Sequence, residues 1–423
     1  MTDISLKFGK TQLSCFIPKD VPVQSILPPS VDAADDPALL VRDSFITPLG
    51  NIHTEILGVN TTVAIAVNDK TRPVPHPVLL PPLLDWLHQS GVVDKNISFY
   101  VASGTHEPMA LAEISDILPD ELASKYPVIA HNCLEQPALK YLGQTSANHT
   151  PVWVNKSFAE ADYRIVVGNI EPHHFMGFSG GVKTAAIGLT GMETIQKNHA
   201  LMTRPNCTTA RVVDNPMRQD VEEIGRMIGI HLALNAVLNG KRQIVSVHTG
   251  EPQAVFEEGM RKSIEVCQTA VPGTFDLVIA SAGGYPKDIN FYQAQKAMSN
   301  AAMITRDKGC LILAAECVEG AGSEGFAEFM YGSTSAADVM QRFSLSPFAI
   351  GMHKAFLTCR LLEKISVILV SALAPETVRS WHMIPAGSLQ DALNIASSLN
   401  SHPDACIAVM PYAVNTIPMV PAA

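Results

Sequence analysis

The chain reads as an α/β protein of two domains, each built on a mostly parallel sheet with flanking helices. Three observations lead to that class. Short apolar runs alternate with helix-patterned stretches along nearly the whole sequence. At 423 residues the chain exceeds what one ordinary core organises. Reactive side chains gather in the loops just after the apolar runs, where ligands bind in open parallel sheets. A hydrophobic content of 47% with 17% charged residues fits a well-buried globular protein and not a disordered one.

Taken in order, residues 1–20 read as a hairpin, with Ser5–Phe8 and Gln12–Ile17 joined by a Gly-Lys turn. Residues 30–45 are acidic and alanine-rich and read as a loop and a short helix. The apolar runs Thr61–Val67, Ile97–Ala102, Tyr163–Val167, Leu277–Ala280, Cys310–Ala314, Ile365–Val370 and Ala405–Val409 read as buried strands. Helical patterning marks Val78–Ser90, Thr190–Met202, Pro216–Ile228, Ala254–Cys267 and Phe291–Asn300. The stretch Val271-Pro-Gly-Thr-Phe-Asp276 follows a long helix and precedes a fresh strand–loop–helix unit. It divides the chain into an N-terminal domain, 1–270, and a C-terminal domain, 271–423.

Bulk properties remove several function classes. A formal net charge of −10 and the lack of a long basic run argue against a nucleic-acid partner. The longest apolar stretch, Ile365–Ala374, is too short to span a bilayer, and the N-terminal residues lack the apolar core of a signal peptide. A soluble cytoplasmic protein without a membrane partner is the expectation. None of the eight cysteines forms a Cys-x-x-Cys pair, so they read as reduced core residues rather than zinc or iron–sulfur ligands. A bound metal would need histidine, or ligands brought by a cofactor.

Five strand-to-loop junctions carry the chemistry. The first holds Asp69, Lys70, Thr71 and Arg72, where arginine can fork onto a phosphate or carboxylate. The alternative there is a turn with a surface ion pair. The second, Ser-Gly-Thr-His-Glu-Pro, offers His106 for proton transfer, or as a mere helix cap. The third runs through His173 and His174 into a loop with Gly177, Gly180 and Gly181, and ends on Lys183. A lysine in such a site can be desolvated into a nucleophile, which suggests a covalently held or phosphate-bearing cofactor beside acid–base chemistry. Successive side chains of an extended segment diverge, so one of the two histidines acts and the other forms a wall. The fourth and fifth junctions are Gly283–Asp288 and Glu316–Gly320. Just beyond the fourth, Gln293 and Lys296 share a helix face, with Tyr292 able to wall a pocket; the alternative is a solvated face. His199 lies on a helix-patterned stretch, where a lone histidine commonly serves the core.

Together these motifs resemble the nickel-pincer lactate racemase family. The residues that carry the resemblance are Asp-Lys-Thr-Arg-Pro at 69–73, Ser-Gly-Thr-His at 103–106, Glu-Pro-His-His-Phe-Met-Gly-Phe-Ser-Gly-Gly-Val-Lys at 171–183, Lys-Asn-His at 197–199 and Gly-Gly-Tyr-Pro-Lys-Asp-Ile-Asn-Phe-Tyr-Gln-Ala-Gln-Lys at 283–296. Their order and spacing cover almost the whole chain.

The resemblance implies an active site in the cleft between two domains and a racemase or epimerase acting at C2 of a small 2-hydroxy carboxylate. It implies a nickel(II)-pyridinium-3,5-bisthiocarboxylate mononucleotide, supplied by cofactor-synthesis enzymes and held by Lys183 through a thioamide. His199 would be the protein ligand to nickel, and His106 with His173 the acid–base pair. Asp69, Lys70, Thr71 and Arg72 would meet cofactor and substrate; Arg72, Gln293, Lys296, His174 and Tyr292 would bind substrate. Hydride would pass to the cofactor while a histidine takes the hydroxyl proton, and its return to the opposite face of a planar 2-keto acid would invert the centre. His174 and Met176 depart from the residues expected of lactate-specific members and imply a larger or more polar pocket wall, hence a longer substrate. Two alternatives remain: an aldonate 2-epimerase on the same cofactor, and a non-catalytic nickel or mononucleotide carrier, which would need neither the histidine pair nor Gln293 and Lys296.

Overall fold

The apolar runs pair into two six-stranded sheets. The computed structural model describes residues 2–72, 74–346, 351–399 and 406–420. Two units divide the chain: Ser30–Val266 is one, and Met1–Pro29 with Cys267–Ala423 is the other.

In the first unit the strand order is Ile244–Gly250, Leu232–Leu238, Tyr163–Asn169, Val63–Asn68, Ile97–Ala102, Val128–Ala130. Only Ile244–Gly250 runs antiparallel to its neighbour. The central strands are buried on both faces, which is why they read as unbroken apolar runs instead of alternating ones. Ile65, Phe99, Ile165 and Leu234 pack with the helices Pro37–Ile46 and His76–Gln89 in one core. Three neighbouring parallel strands, Tyr163–Asn169, Val63–Asn68 and Ile97–Ala102, end on one edge of the sheet. The first three chemical loops leave from that edge.

The second unit is parallel throughout its main sheet: Ile384–Ala386, Ser366–Val370, Thr305–Ala314, Phe275–Ser281, Ile407–Met410, Val23–Ser25. One face buries Val278, Leu311 and Leu369 against the helix Phe291–Ala302 and its neighbours. The other buries Ile279, Ile312 and Ile368 under the helix Leu389–Leu399 and the hairpin Thr2–Phe8/Thr11–Ile17.

The division expected at 270/271 placed the first 29 residues in the other unit. They belong with Cys267–Ala423 because Val23–Ser25 is an edge strand of that sheet and Ile4, Leu6, Cys15 and Ile17 cover its face. The expected hairpin and all seven expected strands are present, with ends displaced by a few residues; Ala405 lies outside the described residues. Among the described residues no helix is long and apolar enough to cross a membrane.

Candidate active site

Asp69 follows the strand Val63–Asn68 and is buried, while His106 follows Ile97–Ala102 and is exposed. Their side chains meet: His106 Nδ1 lies 2.6 Å from Asp69 Oδ2. Beside a carboxylate, Nδ1 carries the proton and donates it, which leaves the lone pair of the neutral ring on Nε2. The other Asp69 oxygen accepts from the Thr71 hydroxyl at 2.6 Å and its backbone N–H at 3.2 Å. Burial pushes the Asp69 carboxyl up, but the hydrogen bonds from His106 and Thr71 and the charges of His106 and Arg72 outweigh it and hold the group below its ordinary value. Asp69 is therefore a charged, fixed acceptor. Lys70 in the same motif points elsewhere, to an exposed ion pair with Glu113.

His173 stands in a tight hairpin, Pro172–His173 against Gly177–Phe178, beyond the strand Tyr163–Asn169. Its Nδ1 accepts from the backbone N–H groups of Phe175 and Met176 at 3.4 and 3.3 Å. The neutral ring then bears its proton on Nε2, opposite to His106. Burial, then the charges of Lys183, His174, Arg72 and His199, push its pKa well below the usual histidine value.

The loop after His173 turns inward on glycine. Gly180 has φ +80°, and a Cβ there would lie 2.3 Å from Ile170 Cγ1 and 2.9 Å from Asn169 O. Only glycine meets both demands. The loop delivers Lys183 to the start of a short helix, Lys183–Ala186. Burial, reinforced by the charges of Arg72 and Arg218, lowers the Lys183 ammonium to about 7. His199, on the helix Met192–Ala200, is held near 4 by burial and by the Lys183 charge. Its Nδ1–H donates to Ile195 O at 2.9 Å, so the lone pair of the ring is on Nε2.

Arg72 links the two halves of this group, since its charge acts on Asp69 as well as on His173 and Lys183. The structure thus gathers Asp69, Arg72, His106, His173, Lys183 and His199 around one edge of one sheet.

Met176 is wholly buried, so its bulk fills core and does not enlarge an open pocket wall. Phe175 packs edge-on against both His173 and His174.

In the other unit, Gln293 is exposed and Lys296 half-buried on the helix Phe291–Ala302. The intervening Gln295 is buried and accepts from Lys354 Nζ at 2.9 Å. Lys354 also lies 5.0 Å over the Tyr292 ring. Burial and the Lys296 charge lower its ammonium to about 7.

Residues 8–210 match the family model described as the lactate racemase N-terminal domain, and residues 271–418 match the lactate racemase C-terminal domain. The chain belongs to the lactate racemase family. It is 29% identical to the lactate racemase of Thermoanaerobacterium thermosaccharolyticum over 429 aligned positions, covering 99% of both chains. It is 29% identical to that of Lactiplantibacillus plantarum over 364, covering 84% of this chain and 85% of the relative. The solved lactate racemase apoprotein from T. thermosaccharolyticum superposes with a TM-score of 0.89 over 99% of this chain and all of that one, at 28% identity. A Thermotoga maritima structure at 16% identity shares the fold, with a TM-score of 0.62 over 91% of this chain and 98% of the other. The family is one of isomerases.

Sequence reasoning missed the partnership of Asp69 with His106, the buried Lys354, and the polar residues Asn215, Arg218 and Asn235 around the lysine loop. Asn235 had a signal, because it is the one polar residue in Leu-Ala-Leu-Asn-Ala-Val-Leu. Lys354 had one too, a lysine between Met352, Ala355 and Phe356 on a helix.

Proposed function

We propose that this chain is a racemase or epimerase inverting C2 of a small 2-hydroxy carboxylate, with lactate the first substrate to assay. Membership in the lactate racemase family supports racemisation. The observation that carries the chemistry is the histidine pair. His106 has its Nε2 lone pair directed by Asp69, and His173 has its proton on Nε2, on loops from strands flanking the one that supplies Asp69 and Arg72.

The C2–H of a hydroxy carboxylate is a very poor acid, because removing its proton adds charge beside the carboxylate. A racemase of this kind gains by moving that hydrogen with its electrons and leaving only the hydroxyl proton to the protein. His106 Nε2 takes that proton, and the buried Asp69 carboxylate stabilises the imidazolium. The proton that His106 takes returns to the same oxygen when the opposite configuration is made, and His173 holds that oxygen through its Nε2–H. Arg72 grips the carboxylate with two donors. Gln293, Lys296, Tyr292 and His174 are assigned to substrate on their motifs alone.

The donor set fits a nickel-pincer nucleotide. His199 has one ring nitrogen satisfied by a backbone carbonyl and its lone pair on the other, the usual arrangement of a metal-ligating histidine. Lys183 is an amine held near neutrality, suited to a covalent link. Asn68 Oδ1 and Ser103 Oγ, at the ends of neighbouring strands, are buried without a hydrogen-bond partner among the described residues, and a nucleotide can supply one to each. Among the described residues no cluster of three or more His, Cys, Asp or Glu is placed to hold a metal, so nickel here would bring further ligands with it. Lys183 would hold the group and His199 would ligate its nickel. When bound, such a group supplies reversible hydride acceptance.

The test is to produce the protein with and without cofactor-synthesis enzymes. The loaded form should carry nickel and a mass adduct on Lys183. Lys183→Ala should lose the adduct, and His199→Ala should lose nickel while keeping the adduct. Substrate deuterated at C2 should turn over more slowly and keep its label. A panel of lactate, 2-hydroxybutyrate, phenyllactate, malate and gluconate ranks the substrates; gluconate first would indicate the aldonate epimerase. Full activity from nickel-free, adduct-free protein, or washout of label into water, overturns the reading.

A further inference from the structure

The helix Pro216–Ile228 lies outside both stretches matched by the family models and carries none of the recognised motifs. Its first turns nevertheless hold three polar residues that are almost wholly buried: Asn215 at its N-cap, Arg218 and Asp220. Burying three such groups is costly unless each is bonded. Each is bonded to a different segment that carries one of the proposed functional residues.

Asn215 Nδ2 donates to Phe175 O at 2.6 Å, two residues after His173. Its Oδ1 accepts from Met217 N and Arg218 N and so caps the helix. Arg218 donates to Phe178 O at 3.2 Å and to Gly180 O at 3.3 and 3.4 Å, the turn that leads to Lys183. Its guanidinium is 3.4 Å from the Phe256 ring centroid and pairs with Glu222. Asp220 Oδ2 accepts from Asn198 Nδ2 at 2.9 Å, one residue before His199, and the same amide donates to Met217 O at 3.2 Å. The two Asp220 oxygens also accept from the hydroxyls of Thr145 and Thr150. The helix backbone comes close enough to the lysine loop that a Cβ on Gly225 would lie 2.4 Å from Val182 Cβ.

We propose that Asn215, Arg218 and Asp220 are positioning residues that set the register of His173, Lys183 and His199 from one rigid helix. The inference rests on the reading of Lys183 as the attachment point and of His199 as the nickel ligand. The bonds run to backbone groups and to the side chains of Asn198, Thr145, Thr150 and Glu222, so the three residues are argued to act through other groups. The amphipathic helix supplies stiffness through Val221, Ile224 and Ile228, all buried on its core side.

The roles separate by site. Arg218→Met frees the turn before Lys183, and Asp220→Asn weakens the tie to Asn198 and so to His199. Val221→Ala lowers stability from the same helix without removing any of these hydrogen bonds. Each variant, co-produced with the cofactor-synthesis enzymes, is measured for adduct on the Lys183 peptide, nickel per chain and Tm. R218M should lower adduct occupancy about tenfold, the scale of losing a charged hydrogen-bond donor. D220N should keep the adduct and lower nickel per adduct. V221A should lower Tm while keeping both at wild-type levels.

In cofactor-free protein, hydrogen exchange should quicken at 180–183 in R218M and at 195–199 in D220N, each leaving the other segment unchanged. Arg218→Gln and Asn198→Ser repeat the test if R218M or D220N does not fold. If adduct and nickel fall together with Tm in every variant, or exchange quickens uniformly, the inference is overturned. If the wild type itself carries no adduct, the attachment reading fails, and the exchange pattern still decides whether the helix positions these segments.

Discussion

Lys354 is a buried ammonium that donates to the Gln295 side chain, and its removal should change how stability follows pH. Burial first, then the charge of Lys296, brings its pKa from 10.5 to about 7. Between those values the unfolded chain binds a proton that the folded chain does not, so stability rises with pH there. The native state carries the full penalty below about 7 and is relieved of it progressively towards 10.5. Each tenfold change in proton affinity corresponds to about 1.4 kcal/mol, and integrating from pH 6 to pH 9 gives a gain of roughly 2.5 kcal/mol from this one group.

Lys354→Met keeps the length and removes the charge, but it leaves Gln295 Oε1 without its donor, a cost of about 1–3 kcal/mol that does not vary with pH. The sign of the offset between wild type and variant is therefore not the test; its slope is. Urea unfolding at intervals from pH 6 to pH 9 should show the wild type gaining on K354M by roughly 2.5 kcal/mol. Parallel stability curves would mean that Lys354 titrates at its ordinary value and that its burial does not govern its protonation.

Other consequences can be measured directly. In cofactor-free protein, acylation of Lys183 by a neutral amine reagent should be half-maximal near pH 7, with the amine protonated and inert below that value; a midpoint near 10 would contradict its desolvation. Asp69→Asn should lower kcat of the loaded enzyme by about tenfold to a hundredfold with little change in KM, because orientation of His106 matters at the transition state and not for binding. An equal loss in 1/KM alone would instead make Asp69 a binding residue. Gly180→Ala should destabilise by about 2–3 kcal/mol, read as a lower Tm, since a Cβ meets Ile170 Cγ1 and the φ of +80° is itself unfavourable. A wild-type Tm would show that the loop relaxes freely.

Much of the fold was legible because buried parallel strands are continuous apolar runs, as Val63–Asn68 and Ile97–Ala102 are. Leu232–Leu238 escaped because Asn235 breaks its run, and Ile244–Gly250 because Ser246, His248 and Thr249 dilute it. The first of these breaks belongs to the site: Asn235 Oδ1 accepts from Gly181 N at 2.6 Å and holds the lysine loop. The catalytic candidates stood out because loops after strands concentrate chemistry. Their supports did not, since a bond such as Asp69 to His106 joins residues that only strand pairing brings together. The membership of the first 29 residues was likewise invisible, because a local pattern says hairpin without saying which sheet it covers.

The edge strand Val23–Ser25 has a consequence for biogenesis. It hydrogen-bonds in parallel register to Ile407–Met410, so the second unit takes strands from far-separated parts of the polypeptide. Ser30–Val266 has all its sheet partners within itself and can complete its pairing while the remainder is still being synthesised. The edge strand emerges earlier yet must wait until Ile407–Met410 has left the ribosome, and the hairpin until the strands bearing Ile279, Ile312 and Ile368 have. Closing so long a loop is slow. Until its covering strands emerge, the apolar face formed by Ile4, Leu6, Cys15 and Ile17 is exposed on the nascent chain and open to chaperone cover.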